Sequence, residues 1–353
     1  MKQTFTGTSK VILLLLLGLF VVNSMVDAQI DTSILNHKLN NYNKFGLGLK
    51  YACLIQKDGK VLYKKDSEDF DVKETGKLGS SSQWLSAALV MWCVDQGKLS
   101  LDDKVSDYLP IFTTYGKRYI TIRHCLTHQT GIEAQKGVMK LFEKNKFESL
   151  EDEANAYASK HEILYNPGTA FTYNYIGINL AARVVEIVMK KGFEQMMAEK
   201  ILKPLAMKST SFSDGDRVSP ASSAVSNAAD MTNFMTMILN KGVFNGKRIL
   251  SEKAVNDMET LQMDGSFIKN LPPCLTGFTY GMGEWIMEKD ANGKNTVVGF
   301  PNMFGTWMFI DRCRGYTCVI LPKNLQEESS KDFYSIIKKT IDSFIPDSVC
   351  NNQ

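Results

Sequence analysis

No charge of one sign dominates this chain. Its 41 Lys and Arg and 38 Asp and Glu residues leave a formal net charge of +3 with the signs well mixed, which gives no electrostatic footprint for nucleic acid. No G-x-S-x-G elbow and no phosphate-cradling glycine loop is present, and Asn166-Pro167-Gly168 reads simply as a turn. Histidine is scarce, with four in 353 residues. His124 and His128, four apart, would share one helical face, but the metalloprotease pattern needs a glutamate beside the first, and Cys125 stands there. The pair therefore reads as structural, and no metal or cofactor is expected. His37 and His161 have no evident partners and read as surface residues. Internal repeats and low-complexity segments are also absent.

Long apolar runs are equally rare. The run Val11 to Val22 is about 12 residues long, short of the roughly 20 that span a bilayer. Lys2 and Lys10 precede it, and Val26 and Ala28 follow as small residues around a cleavage point, the layout of a secretory signal peptide over residues 1–28. A secreted or periplasmic protein with no membrane span after cleavage is expected, with an uncleaved anchor as the alternative. Cysteine is too sparse for a disulfide framework in a chain of this length, and the seven present are odd in number. Cys93 and Cys125 lie in apolar helical contexts and read as buried thiols. Cys313 and Cys318 flank a turn-like Arg-Gly and could pair across a hairpin.

What is present has a clear order. Leu47 to Lys65 reads as two strands turning at Lys57-Asp58-Gly59. The segment from Gln83 to about Ile201 is mainly helical. Its first helix, Trp84 to Val94, is apolar on nearly every face and should be buried all round, with Gly97 as its left-handed stop. Asn179 to Gly192 reads as a second helix with its own terminal glycine, and Ser226 to Gly242 as a third, capped by Ser226 or Asn227. Strand patterns return at Tyr280 to Glu288, Thr296 to Phe300, Gly305 to Asp311 and Tyr316 to Lys323, before an amphipathic helix at about Glu328 to Phe344. Strands at both ends with helices between them predict a discontinuous α/β domain, its sheet built from both termini, and an all-helical domain from the middle. The α/β part would take about 29–79 and 228–353, and the helical part about 80–227.

Ser80 sits at the mouth of the first buried helix. A serine with a lysine three residues on shares a helical face with it, and the ammonium can ease removal of the hydroxyl proton. Here the third residue on is Gln83. Ser80-x-x-Gln83 is also a capping box, in which serine and glutamine satisfy each other's backbone amides without any catalysis. The two S-x-x-K matches present, Ser266 to Lys269 and Ser335 to Lys338, lie in a polar connection and inside the last helix, and are discounted.

The segments "GKLSLDDKVSDYLP", "ITIRHCLTHQTGI", "NPGTAFTYNYIGINLAARVVE", "ILKPLAMKSTSF" and "ADMTNFMTMILNKGVFNGKRILS" follow one another in the order and spacing of the β-lactamase-related serine hydrolases. The chain resembles that superfamily, which includes class C β-lactamases, penicillin-recognising D-Ala-D-Ala peptidases and esterases, from about Leu47 to Phe344. The resemblance implies an α/β, β-lactamase/penicillin-binding-protein-like fold, an antiparallel sheet flanked by helices plus an all-α domain inserted between the N- and C-terminal strands, with its site between the two parts. It also implies Ser80 as nucleophile, Gln83 at the lysine position, and Tyr173 as the retained tyrosine of a Tyr-x-Asn motif whose asparagine is replaced by Tyr175. The third motif, a Lys or His followed by Thr-Gly or a similar pair, falls on Phe300-Pro301-Asn302, where none of its polar functions is kept. Backbone amides of Ser80 and Met303 would form the oxyanion hole.

The departures compound. The family's tyrosine is thought to act as a base because cations stabilise its phenolate. An unperturbed phenol near pKa 10 is about 0.1% ionised at neutral pH, and burial without a cation raises that pKa. Loss of general-base help costs about 10²–10⁴ in rate. Lys77, three residues before Ser80, and Arg123 are the candidate displaced cations, but a solvent-facing side chain and a surface salt bridge are the plainer readings. Two functions follow: a non-catalytic module whose cleft, lined by Tyr173, Tyr175 and Phe300, holds a small-molecule, peptide or cell-wall ligand, or a weakened or redirected esterase acting through a Ser80 acyl-enzyme. The three aromatic residues equally suit a role as core filling.

Overall fold

Asp58 and Gly59 both take left-handed backbone conformations (φ 50° and 74°), the pairing that a two-residue type I′ hairpin turn requires. They join β1 (Tyr51–Lys57) to β2 (Lys60–Lys65). The computed structural model describes residues 31–42, 50–67, 69–134, 147–213, 218–262, 268–302, 304–324, 331–347 and 350. The signal peptide expected over 1–28 lies outside them, in a unit that ends at Asp31; the fold belongs to the unit that begins at Thr32.

Five later strands complete the sheet: β3 (Thr279–Tyr280), β4 (Trp285–Lys289), β5 (Asn295–Gly299), β6 (Trp307–Asp311) and β7 (Tyr316–Pro322). Their order is β2-β1-β7-β6-β5-β4-β3, antiparallel throughout. The N-terminal hairpin thus docks beside the last strand, from Tyr51 opposite Pro322 to Lys57 opposite Tyr316. All residues of β6 and β7 are buried, as central strands covered on both faces must be. One face carries α6 (Ala228–Leu239), packed on β7, β1 and β6. The other carries α7 (Lys331–Asp342), whose Tyr334 stacks on Trp307, with α1 (Ser33–Tyr42) against it.

The inserted helices include α2 (Ser82–Asp95), α3 (Ile122–Leu126), α4 (Leu150–Lys160) and α5 (Ile176–Met189). Helices α2, α3 and α4 each pack against α5. Helix α2 is buried at every position from Ser82 to Met91, as its all-round apolar pattern predicts, and Gly97 has φ +61° beyond it. Asn227 caps α6, accepting from the Asp230 amide at 2.7 Å. The architecture is the α/β fold expected, an antiparallel sheet flanked by helices with an inserted all-helical part.

Three local expectations are corrected. Helix α5 stops at Met189 on Lys190, which takes the left-handed conformation (φ 53°), while Gly192 is extended. The strand expected over Tyr280 to Glu288 is split, because Gly281–Glu284 pull out of line to meet α2. Gly283 has φ +80°, and a Cβ there would lie 2.0 Å from the Ala87 Cβ, so no larger residue fits. The disulfide joins Cys313 to Cys350, not to Cys318. Cys318 lies within β7 opposite Phe309, out of register with Cys313, and is a buried thiol beside Cys53. Cys93 and Cys125 are buried thiols as expected. Among the described residues, no helix is long and apolar enough to cross a membrane.

Candidate active site

Three consecutive serines, Ser80 to Ser82, lead into α2, and each has a different job. Gly79–Ser81 form a 3-10 turn that runs directly into the helix. The Ser82 hydroxyl donates to the Gly79 carbonyl (2.6 Å) and accepts from the Ala224 amide (3.0 Å). The Ser81 hydroxyl donates to the Phe300 carbonyl at 3.3 Å. Ser80 is the one left facing the site, 5% exposed and beside the Tyr173 phenol. The capping-box reading is therefore corrected. Ser80 already belongs to a helical turn, whereas a capping serine needs extended backbone, and the cap position falls on Ser81 without a side-chain cap bond.

Gln83, at the lysine position, is fully buried. Neither end of its amide makes a well-formed hydrogen bond, although it lies close enough to Tyr173 to favour the phenolate slightly. Tyr173 follows a two-residue strand, Phe171–Thr172, paired with Ile268–Asn270. Burial pushes its phenol well above the ordinary tyrosine range, and Ser80 and Gln83, both uncharged, pull weakly the other way. Lys77 is exposed on a short strand, Gly76–Lys77, and Arg123 pairs with Asp102 at 3.0 Å on the surface. Neither supplies the missing charge.

The asparagine that Tyr175 displaces sits one residue earlier and is fully engaged. Asn174 donates to the Thr172 carbonyl (2.7 Å) and accepts from the Ile176 amide (2.9 Å), a local turn that starts α5. Tyr175 packs partly buried beside Tyr173, and burial raises its phenol too. The third motif has become a strut. Phe300 is fully buried and is core filling, and Pro301 lies between β5 and β6 as a break. Asn302, however, keeps a polar role that the sequence did not reveal: its amide donates to the Leu78 carbonyl at 2.7 Å, and its oxygen accepts from the Phe304 amide at 2.9 Å. Met303 lies outside the described residues, as does Ser266 of the discounted Ser266 to Lys269 pair. Lys338 of the other pair is buried between Asp311 and Asp342, 2.6 Å from each, a structural ion cluster.

The histidines do not share a face. His124 and Thr121 bond each other's backbone amides at 3.2 Å, closing the first turn of α3. His128 lies past the end of α3 with φ 55°, its ring 4.7 Å from the Tyr173 ring and its Nε2 3.2 Å from the Tyr280 hydroxyl. Burial pushes His128 down to about 3, so the ring is neutral at physiological pH. At the surface, His161 bonds the Glu133 carbonyl and His37 bonds Asn41. Sequence reasoning missed the aromatic wall behind Tyr173, in which Tyr280 and Phe171 pack on His128 and Trp285 packs on Tyr173 and Tyr280. It also missed Glu284, fully buried beside α2, where Oε2 accepts from Trp84 Nε1 at 2.8 Å and Oε1 has no partner. Burial raises the Glu284 carboxyl well above its ordinary range, Glu259 reinforces the shift, and Arg312 opposes it. The closely spaced glycines of "YGMGEW" were the available signal.

A serine at the start of a buried helix, a tyrosine beside it and the β5–β6 connection tied to the turn that carries the serine make up the architecture of the β-lactamase and penicillin-binding-protein-like hydrolases. The chain belongs to the Beta-lactamase family, whose model matches residues 51–338. Among curated relatives, Protein flp of Staphylococcus aureus (strain MW2) is 29% identical over 195 residues, 52% of this chain; the match spans 38% of that protein's own length. Beta-lactamase-like protein 4 of Dictyostelium discoideum is 23% identical over 347 residues, covering 81% of this chain and 58% of the relative. Among solved structures, a candidate β-lactamase from Bacteroides dorei DSM 17855 shares the fold at TM-score 0.80 and 23% identity, over 90% of this chain and 99% of that one. EstCE1, a hydrolase with promiscuous acyltransferase activity, does so at TM-score 0.75 and 19% identity, over 90% of this chain and all of its own.

Proposed function

We propose that this β-lactamase-family protein keeps the scaffold and the nucleophile position but lacks the chemistry of ordinary acyl transfer, and serves as an exported binding module for a peptide, cell-wall fragment or acylated small molecule. The observation that carries the reading is the replacement at the lysine position beside Tyr173: a buried phenol next to Ser80 and Gln83, neither of which carries a charge. A phenol raised by burial is a poor base at neutral pH, and loss of general-base assistance costs about 10²–10⁴ in rate. Phe300 replaces the second expected cation with core.

A second reading rests on the Ser80–Tyr173 contact, which survives. It is a slow esterase that forms a Ser80 acyl-enzyme with activated esters, whose leaving groups need little protonation. The oxyanion donors would be the Ser80 amide, at a helix start where amides lack intrahelical acceptors, and that of Met303.

Labelling separates the two. The folded protein is incubated with a fluorescent penicillin and, separately, a fluorophosphonate, with Ser80→Ala as control, and adducts are mapped by mass spectrometry. The binding-module reading expects none; a Ser80 adduct absent from the variant would make the protein a working acyl enzyme. Export is tested by the mass of protein from producing cells, which should begin just after Ala28.

A further inference from the structure

Three metal-ligating side chains converge outside the Ser80 site, at the turn that joins β6 to β7. Cys313 lies in that turn, where the Arg314 amide donates to Asp311 Oδ1 at 2.7 Å. The chain comes back onto it after α7. Arg314 Nε donates to the Ile345 carbonyl at 3.1 Å, and Ile345 is 2% exposed. The returning segment is therefore seated by contacts that involve no sulfur. Two residues on, Asp347 Oδ1 accepts from the Cys350 amide at 2.9 Å, which fixes the carboxylate beside the second cysteine.

The Sγ atoms of Cys313 and Cys350 and a carboxylate oxygen of Asp347 lie within 4.8 Å of one another. In the oxidised protein the sulfurs are bonded, with their Cα atoms 5.0 Å apart. A disulfide has no hydrogen to donate, so an acceptor-only carboxylate gains nothing from it. Once the bond is reduced and the sulfurs ionise, three anionic donors meet in one place. They repel one another unless a cation lies between them. Zinc, with bonds of about 2.3 Å to sulfur and about 2.0–2.2 Å to oxygen, sets tetrahedral donors about 3.5–4 Å apart. That spacing fits inside the observed cluster, and Asp347 and Cys350 are only half-buried, which leaves an ion a way in from solvent.

We infer that Cys313, Asp347 and Cys350 form a zinc site that takes the place of the disulfide when it is reduced. Two thiolates with one carboxylate suit zinc, whereas calcium and magnesium take oxygen ligands. The fourth position of the ion is left to water. The exchange balances. An external dithiol gives two electrons and two protons to the disulfide and closes into a disulfide itself. The two new thiols then release their protons as zinc binds. The returning chain thus stays clamped to the β6–β7 turn in both states, by a covalent bond or by the metal. The site makes no use of Ser80 and stands under either reading of that residue.

The test uses the full chain, either oxidised or reduced with dithiothreitol and freed of it under nitrogen. Each form is dialysed against zinc chloride, and bound metal is counted by plasma mass spectrometry. The reduced protein should hold about one zinc per chain and the oxidised protein none. Zinc should raise the melting temperature of the reduced form and leave that of the oxidised form unchanged. Replacing Cys313 and Cys350 together by alanine keeps the other five cysteines and should abolish binding. Asp347→Asn still forms the disulfide, and when reduced it should bind zinc at least about tenfold more weakly. A reduced chain that takes up no zinc, equal loading of the double-alanine protein, or unchanged affinity in Asp347→Asn would each overturn the inference.

Discussion

Glu284 offers the sharpest physical test of the packing behind the site. Its carboxyl is fully buried against α2, accepts one hydrogen bond from Trp84 and leaves Oε1 without a partner. Burial raises its folded-state pKa well above the unfolded value, against the opposing pull of Arg312 and Lys241. The sign follows from proton counting. Above the unfolded pKa the native state holds a proton that the unfolded chain has released, so its contribution to stability is complete at low pH and is lost as pH rises towards the folded pKa. Each pH unit in that window removes about 1.4 kcal/mol. Glu284→Gln has nearly the same shape, still accepts from Trp84 and cannot titrate. The stability of the variant relative to the native protein should therefore rise as the pH climbs from 5 to 7, by no more than about 1.4 kcal/mol for each pH unit. Urea unfolding followed by tryptophan fluorescence at each pH, extrapolated linearly, gives both curves. The offset at pH 5 reads the intrinsic cost of the swap; only the slope tests the argument. Parallel curves would refute it and place an ionised Glu284 in the fold, held by Arg312.

Three further outcomes are expected. His128, buried and pushed down to about 3, favours the fold above the unfolded pKa of 6.5; that stability fades as pH falls towards 3, and His128→Asn, which tolerates the left-handed backbone, should lose this component of acid sensitivity in melts at pH 7, 5 and 4. The Cys313–Cys350 disulfide closes a loop of 37 residues, and replacing both by alanine should cost about 4 kcal/mol by loop entropy, read from the urea midpoint; an unchanged midpoint would mean that the tail is held equally well without it. Asn302→Ala removes the bond to the Leu78 carbonyl and should cost about 1–3 kcal/mol, whereas Asn302→Asp, which cannot donate, should be no better.

Much of the fold was legible because its signals are local. Asp58-Gly59 dictates a hairpin, the all-round apolar run of α2 dictates burial, and Asn227 announces α6. Signals that depend on a distant partner were not legible. The split between β3 and β4 follows from the approach of Gly283 to Ala87, and the pairing of Cys313 with Cys350 follows from where the C-terminal tail returns. Within the site, the positions of Ser80, Gln83 and Tyr173 were readable from motif spacing, as was the exclusion of Arg123. Ser80 was misread as a cap because a capping box and a 3-10 entry share one sequence pattern. Asn302 was written off as a lost motif, since a side chain bonding a carbonyl 224 residues away leaves no mark on its neighbours.

The strut formed by Asn302, Ser81 and Ser82 has a bearing on motion. It fastens the turn before α2 to the β5–β6 connection at Phe300 and to Ala224 within the same few residues. Hinges need a short stretch whose torsions can change at little cost, and Leu78–Ser82 is pinned on both sides. The two layers that meet there should therefore move as one body, and the hydrogen-bonded amides of Leu78, Ser81 and Ser82 should be among the slowest in the chain to exchange with deuterium. A ligand would then meet a preset shape, and recognition would proceed by fit with no closing of jaws.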